Sequence, residues 1–427
     1  MSIEAVATLI RNRRGLSAHY FFSFAALGFT ATFLPLFLRS RGLSLKQVGA
    51  LSAIYALSGA CAQIPVGALS DKLGSRRPVS VLAAILLGVT YLLFNSARSF
   101  GQFFVLYLVG GILFYTVATL TSALISDWTA KTGNTGHYYG TTRIWGSIGF
   151  IVTMVIVSAV PRMTQGKNLL PFVAVLFWTS GLAISSVVES KHHERSVRPA
   201  FHNVPRLLRN RNLALFMLAF FLYRCCEGGG MGFLSIYLNE HLHASRSLIS
   251  LAFAWNAIVE IPFMLWVGGA SDRMGRRPPL VIAFLTLPLR MFLYSQLRNP
   301  QDIFFVQLLQ GFTFSFMLVP SMAFVADLAP GELRATGQGL LGMTAGIATS
   351  AGPFIGGRIA QHLSISSMYM AIAGTALVAG MIFILFVHES QPDVDPEYIR
   401  SRIKRWHPIL RPVVNLLSRP IFGIIRN

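Results

Sequence analysis

Apolar residues in this chain gather in runs of about 20, the length an α-helix needs to cross a bilayer core of roughly 30 Å. No feature limits the possible folds more. The runs do not carry the 3.6-residue stripes of surface helices, so each is apolar all round. The predicted spans are 17–38, 48–69, 78–97, 102–126, 141–160, 169–188, 212–238, 247–269, 278–297, 302–326, 335–357 and 366–388. Only 12% of the residues are charged and 53% are hydrophobic. A soluble chain carries about 25% charge. The fold class expected is therefore an all-α membrane protein of twelve transmembrane helices. Helices satisfy their own backbone groups in lipid, so irregular backbone at mid-depth needs a protein-lined cavity. The residues ahead of the first run lack a cleavable signal, so that run is read as the first span.

The polar stretches between the runs contain a repeat. GGASDRMGRRPP, Gly268 to Pro279, has a twin in GALSDKLGSRRP, Gly67 to Pro78. Asp71 aligns with Asp272, Gly74 with Gly275, Arg76 with Arg277 and Pro78 with Pro279, each 201 residues apart. FLPLFL at 33–38 matches FLSIYL at 233–238, and Asp127 matches Asp327, both at an offset of 200. Such repetition predicts two parallel six-helix units, 1–188 and 212–388, joined by a basic loop at 189–211. A basic tail follows at 389–427. Ile399, Ile403 and Trp406 share one helical face there, with Arg400, Lys404 and Arg405 elsewhere. That pattern predicts an interfacial helix on anionic lipid; a solvated basic tail is the competing reading. The net charge of +20 follows the same topology. With a cytoplasmic N-terminus, inside segments hold about 24 Lys and Arg and outside loops about 9. This bias explains the basic balance without a nucleic-acid partner, and it predicts a multi-pass protein of the cell (inner) membrane with both termini cytoplasmic. The chain is read as a monomer.

Four ionisable residues fall near mid-span: Arg224 and Glu227 in the seventh span, Glu260 in the eighth and Arg290 in the ninth. A lone charge at the centre of a helix costs about 2.5–3.5 kcal/mol on insertion scales. The four must line a cavity or pair. Arg224 and Glu227 are three residues apart and can share a face. Glu260 and Arg290 are expected to pair across consecutive helices. Glu227 and Glu260 are the candidate proton-coupling carboxylates, because burial and a nearby arginine act on a carboxyl in opposite directions. The alternative is a static polar brace. Asn256, one turn before Glu260, and Gln307 and Gln310, which share a face with Phe314, complete a candidate cavity in which Trp145 and Trp255 can stack on a ring. Gly228, Gly229 and Gly230 predict a bend in the seventh span; close helix packing is the alternative. Among the histidines, His19 is placed near a span end and the others in loops, tail or span edges. The three cysteines show no metal spacing and no disulfide framework.

Two Gly-x-x-x-Asp-[Arg/Lys]-x-Gly-x-Arg hinges, in register after the second and eighth spans, resemble the signature loop of the major facilitator superfamily. The resemblance covers residues from about 15 to 390. It implies two six-helix bundles around a central cavity, with alternating access by rocking. It also implies a gate at the hinges, made of Gly67, Asp71, Gly74, Arg76 and Arg77 in one half and Gly268, Asp272, Gly275, Arg276 and Arg277 in the other. Their carboxylates and guanidiniums would tie the halves together when the cytoplasmic side closes. A positive-inside tight turn is the plainer reading. YYGTTRIWGSIGF (138–150) and DLAPGELRATGQG (327–339) look like the branch that includes lactose permease, nucleoside–proton symporters and the phenylpropionate-permease group. In lactose permease an acidic residue late in span four and an arginine early in span five hold the sugar; the matching positions are Asp127 and Arg143. A structural ion pair is the alternative there. The sugar-stacking tryptophan of that protein is Phe150 here, and its span-ten histidine and glutamate are absent.

The function expected is secondary active transport of a small organic solute, by solute:proton symport, in the sugar, nucleoside or aromatic acid class. No cofactor is expected; a proton is the expected coupling ion. The alternative is proton-driven drug or metabolite efflux. Efflux antiporters of the superfamily carry a Gly-Pro-rich motif in span five, whereas AGPFIGG (351–357) lies in span eleven here. A membrane sensor of the same fold is a third class. An intramembrane enzyme is not expected, because no HExxH, GxSxG or cofactor motif is present.

Overall fold

The computed structural model describes residues 3–130, 135–164, 168–188 and 204–390. Most of the predicted central loop and nearly all of the basic tail, with its proposed lipid face, lie outside these residues. The side chains of Asp71 and Asp127 also lie outside those described.

The described residues form twelve helical passes of 17 or more residues and contain no strand. They are α1 (Ile3–Ser40), α2 (Leu45–Leu73), α3 (Arg77–Leu93), α4 (Phe100–Ala130), α5 (Thr135–Ala159), α6 (Leu169–Ser185), α7 (Arg211–Ile236), α8 (Arg246–Met274), α9 (Arg277–Gln296), a composite α10, α11 (Arg334–His362) and α12 (Ile365–Phe386). The composite α10 runs as Ile303–Gln307, a π-helical turn at Gly311–Ser315, and Phe316–Leu328. A short helix, Val204–Leu208, precedes α7. Among the described residues nine helices are long and apolar enough to cross a membrane, and α3 and α6 are shorter apolar helices. The helix α11 is long but rich in Gly, Ala, Thr and Ser, the small residues that let helices pack closely in lipid.

Local chemistry sets several starts. Ser44 and Gln47 make a reciprocal capping box ahead of α2, with Ser44 N–H donating to the Gln47 amide oxygen at 2.9 Å. Asn210 caps α7 by accepting from two backbone N–H groups, Ser245 caps α8, and Ser364 caps α12.

Helix contacts reproduce the predicted pseudo-symmetry. In the first half α1 packs on α5 and α6, α2 on α4, and α3 on α4 and α6; in the second, α7 packs on α11 and α12, α8 on α10, and α9 on α10 and α12. The halves meet through α2 against α11 and α5 against α8, which are equivalent pairings, with α1 against α7 between them. Each half also carries a stacked aromatic pair between these helices, at positions that are not equivalent. Tyr91 stacks on Phe177 between α3 and α6 (5.4 Å, 9°), and Phe284 on Phe383 between α9 and α12 (4.5 Å, 17°).

Three sequence expectations change. The Gly228–Gly230 run does not break α7, which is helical throughout. Gly229 and Gly228 instead lie against Gly352 and Thr349 of α11, and Gly230 against Met291 and Tyr369. Each hinge is far shorter than its polar sequence, because α8 continues through Gly268 and Asp272 to Met274 and only Gly275 and Arg276 separate it from α9. His19 is not at a helix end: α1 extends on both sides of it, and it is buried and bonded to Ser180 Oγ at 2.7 Å.

The repeat register is also not constant. Asn12 exchanges two hydrogen bonds with the Val188 backbone, and Asn212 does the same with His388, at an offset of 200. The two non-helical turns with positive φ at Gly42 and His243 are 201 apart. The extra residue falls where α7 widens into a π-helical turn, Tyr237–His241, which holds one more residue per turn. Ser75 then adds a residue to the first hinge and restores 200. Arg77 donates to the Val187 carbonyl at 3.0 Å and Arg277 to the Val387 carbonyl at 2.8 Å. By structural role Arg77, not Arg76, is the partner of Arg277.

Candidate solute and proton site

Arg290 of α9 is the centre of the polar network, and it is fully buried. All three guanidinium nitrogens are occupied. Nε donates to Tyr294 Oη at 2.9 Å, Nη2 to the Gln307 amide oxygen at 2.8 Å and, weakly, to Asn256 Oδ1 at 3.4 Å, and Nη1 to Thr313 Oγ1 at 3.0 Å and to Gln310 Oε1. Every one of these acceptors is neutral. The expected Glu260–Arg290 ion pair is not formed. Two amides stand between them: Gln310 accepts from Arg290 through its oxygen and donates from Nε2 to Glu260 Oε1 at 2.5 Å, and Asn256 repeats the arrangement more loosely at 3.4 Å. Ser315, on the π-helical turn of α10, donates to the Glu260 carbonyl at 3.2 Å. That turn widens α10 beside the site, a frequent device at functional positions. Glu260 itself is only partly buried.

Arg224 and Glu227 form the direct ion pair that their spacing predicts. Glu227 is buried, whereas the Arg224 side chain is 23% exposed. Arg143 of α5 crosses from the first half. Its guanidinium lies over the Phe24 ring at 4.0 Å and within electrostatic reach of Glu260. The predicted Asp127–Arg143 pair depends on a side chain outside those described. The Trp255 indole N–H donates to the Phe304 carbonyl at 3.0 Å, which ties α8 to α10 and fixes the plane of the ring. Trp145 is exposed.

The hinge residues sit apart from this network. Arg276 bonds Asp272 in the last turn of α8 and Asp327 of α10 at 3.1 Å. Burial disfavours its charge, but the two carboxylates outweigh burial and hold the guanidinium above its ordinary range. Arg277 grips α12 through the Ile384 and Val387 carbonyls, and Glu389 accepts from the backbone N–H groups of Arg276 and Arg277. These contacts all fall within the second half. The Arg77–Val187 bond is the counterpart within the first half. Gly74 and Gly275 each take a positive φ, +64° and +87°, at equivalent turns.

At the opposite face, described polar contacts join the halves. Arg39 and Glu240, at the ends of α1 and α7, form a bidentate pair at 2.7 and 2.9 Å. Arg246 donates to the Thr164 carbonyl at 2.5 Å, and the Gln361 amide oxygen accepts from Leu45 N–H at 3.0 Å. Sequence reading missed this latch. Its one signal was an Arg and a Glu at near-equivalent positions of the two repeats. Tyr294 and Thr313 were missed as well, since neither is charged.

The comparisons agree with this architecture. An uncharacterized transporter of Bacillus subtilis, YwbF, is 25% identical over 394 residues, covering 89% of this chain and 94% of its own. The maltose permease of Geobacillus stearothermophilus is 24% identical over 86% of this chain and 92% of its own, and the putative nucleoside transporter YegT of Escherichia coli 23% over 85% and 91%. Among solved structures, a mutant of the nucleoside transporter NupG superposes with a TM-score of 0.81 at 18% identity, covering 88% of this chain and all of that one. Residues 14–371 match the MFS_1 like family, and the chain therefore belongs to that family of major facilitator transporters.

Proposed function

We propose that this transporter moves a small organic solute together with a proton, that Glu260 carries the proton, and that the protein sits in the cell membrane with its hinges and both termini on the cytoplasmic side. The Arg39–Glu240 face is then the outer face. The carrying observation is the difference between the two membrane carboxylates. Glu227 is locked in a direct ion pair with Arg224. Glu260 receives only amide donors, and its nearest buried cation is one amide away. A carboxylate held this way gains a proton without breaking an ion pair. It also lies on α8, which packs against α5 of the other half, within reach of Arg143. A rocking motion that moves Arg143 relative to Glu260 changes the field at the carboxylate and so its affinity for a proton. Solute binding on the same inter-half face couples to that change.

The test uses proteoliposomes loaded with a pH-sensitive dye and a panel of nucleosides, sugars and aromatic acids. The effective solute is expected to carry protons in its own direction without an imposed gradient. Glu260→Gln is expected to keep solute exchange between equal pools and to lose accumulation driven by a pH gradient. Proton movement opposite to the solute would make the protein an antiporter. Accumulation at the wild-type level in Glu260→Gln would remove that residue from coupling.

A further inference from the structure

We infer that the transported proton is carried on Oε2 of Glu260, and that Gln310, turned by Arg290, is the positioning residue that puts it there. This rests on the reading of Glu260 as the proton carrier, and it names the atom and the second residue for that step.

Arginine has five N–H donors and no acceptor. An amide beside it must turn its oxygen toward the guanidinium and its NH2 group away. Gln310 does so: Oε1 accepts from Arg290 Nη1, and Nε2 donates to Glu260 Oε1 at 2.5 Å. Asn256 is turned the same way. Its Oδ1 accepts from Arg290 Nη2 and its Nδ2 donates to Glu260 Oε1, each at 3.4 Å. The guanidinium cannot swing aside to release them. Arg290 is fully buried, and Tyr294, Gln307 and Thr313 hold its other N–H groups. Both amides are buried as well. Reversing either one would set N–H against N–H and leave buried donors unpaired.

The two oxygens of Glu260 therefore differ. Both amides converge on Oε1. Oε2 accepts no hydrogen bond among the described residues and is not enclosed. A proton on Oε1 would aim its O–H at two N–H donors and displace the 2.5 Å contact. A proton on Oε2 breaks nothing, because Oε1 stays a carbonyl oxygen that accepts from both amides. The network thus decides where on the carboxyl the proton sits.

Loading then reverses the character of the one open atom. Oε2 is an acceptor in the ionised form and a donor in the protonated form. A solute group that reaches Oε2 meets opposite partners in the two forms, which gives proton and solute one shared atom through which each favours the other.

The test is infrared difference spectroscopy of the full chain in lipid, stepped between high and low pH with no solute present. The C=O stretch of protonated Glu260 is the band that Glu260→Gln removes. With the proton on Oε2, that carbonyl is Oε1 and is bonded to both amides. Gln310→Met keeps the length of the side chain and removes the donor, so the band should move to higher frequency. Asn256→Leu should move it the same way by less, because its contact is 3.4 Å and not 2.5 Å. A merely structural role for either residue would lower the melting temperature and leave the band in place. An unmoved or down-shifted band in a Gln310→Met protein that melts like the wild type overturns the inference. Where that variant does not fold, an unmoved band in Asn256→Leu overturns it instead. So does the absence of any band that Glu260→Gln removes. The symport reading fails separately. The expected band shifts with no solute-driven proton movement refute symport and keep the proton's place; solute-driven proton movement with unmoved bands refutes the place and keeps symport.

Discussion

Neutralising the outer latch should shift the protein toward the outward-open state by an amount that its geometry sets. Arg39 and Glu240 are bidentate, at 2.7 and 2.9 Å, but their side chains are 28% and 35% exposed. Exposed pairs contribute about 0.2–1 kcal/mol. Arg39 is already anchored in its own half by donating to the Leu43 carbonyl at 2.7 Å, so little side-chain entropy remains to be lost on pairing. That places the pair near the upper end, at about 1 kcal/mol, or about a 5-fold change in the equilibrium between states. The assay is the distance distribution between spin labels at Arg98→Cys and Arg298→Cys, two exposed positions on outer loops, in a background without the native cysteines. Arg39→Gln, Glu240→Gln and the neutral double variant should each raise the outward-open population by about 5-fold relative to the closed one. The reversed pair, Arg39→Glu with Glu240→Arg, should recover part of the wild-type distribution. Recovery is partial because Arg39 stands in the last turn of α1, where the helix dipole favours a cation. Two single substitutions whose effects simply add in the double variant, or a reversed pair no closer to the wild type than either single, would refute the latch.

Two further substitutions test the supporting structure. Arg290→Ala leaves the buried acceptors of Asn256, Gln307, Gln310 and Thr313 without their donor, and should cost about 3 kcal/mol or more, seen as a lower melting temperature; Arg290→Lys should recover only part, and an unchanged melting temperature in Arg290→Ala would disprove the keystone role. Gly275→Ala should destabilise more than Gly74→Ala, about 2 against about 1 kcal/mol, because at φ +87° and ψ 169° the new methyl meets the Glu389 carboxylate, whereas Gly74 faces open space; equal melting temperatures for the two would contradict this.

The twelve spans, the two halves and the four mid-membrane charges were legible because each is written in residue type and spacing. Bilayer thickness sets the spans, and a charge among apolar neighbours is visible wherever it falls. Which way a side chain faces was much less legible. In a helix that is apolar all round, hydropathy carries no phase, so nothing in the runs told that Gln310 points at both Arg290 and Glu260. The glycines after Glu227 show the same ambiguity: three small residues permit either a bend or a close approach, and only the position of α11 decides. The π-helical turns of α7 and α10 were hard to see because a single inserted residue scarcely alters the composition or length of an apolar run. Its trace was the one-residue drift in the repeat offset, which the alternation between 200 and 201 already contained.

The outer latch joins near-equivalent positions of two similar bundles. In an assembly related by a twofold axis, equivalent residues meet only close to that axis. Two identical bundles would place the same side chain against itself there, so arginine would face arginine and repel. A cation opposed to an anion at such a point requires two halves free to differ, and a single polypeptide supplies that freedom. Arg39 and Glu240 therefore also act as an identity check between the bundles: either one can recognise the other, and neither can recognise a copy of itself.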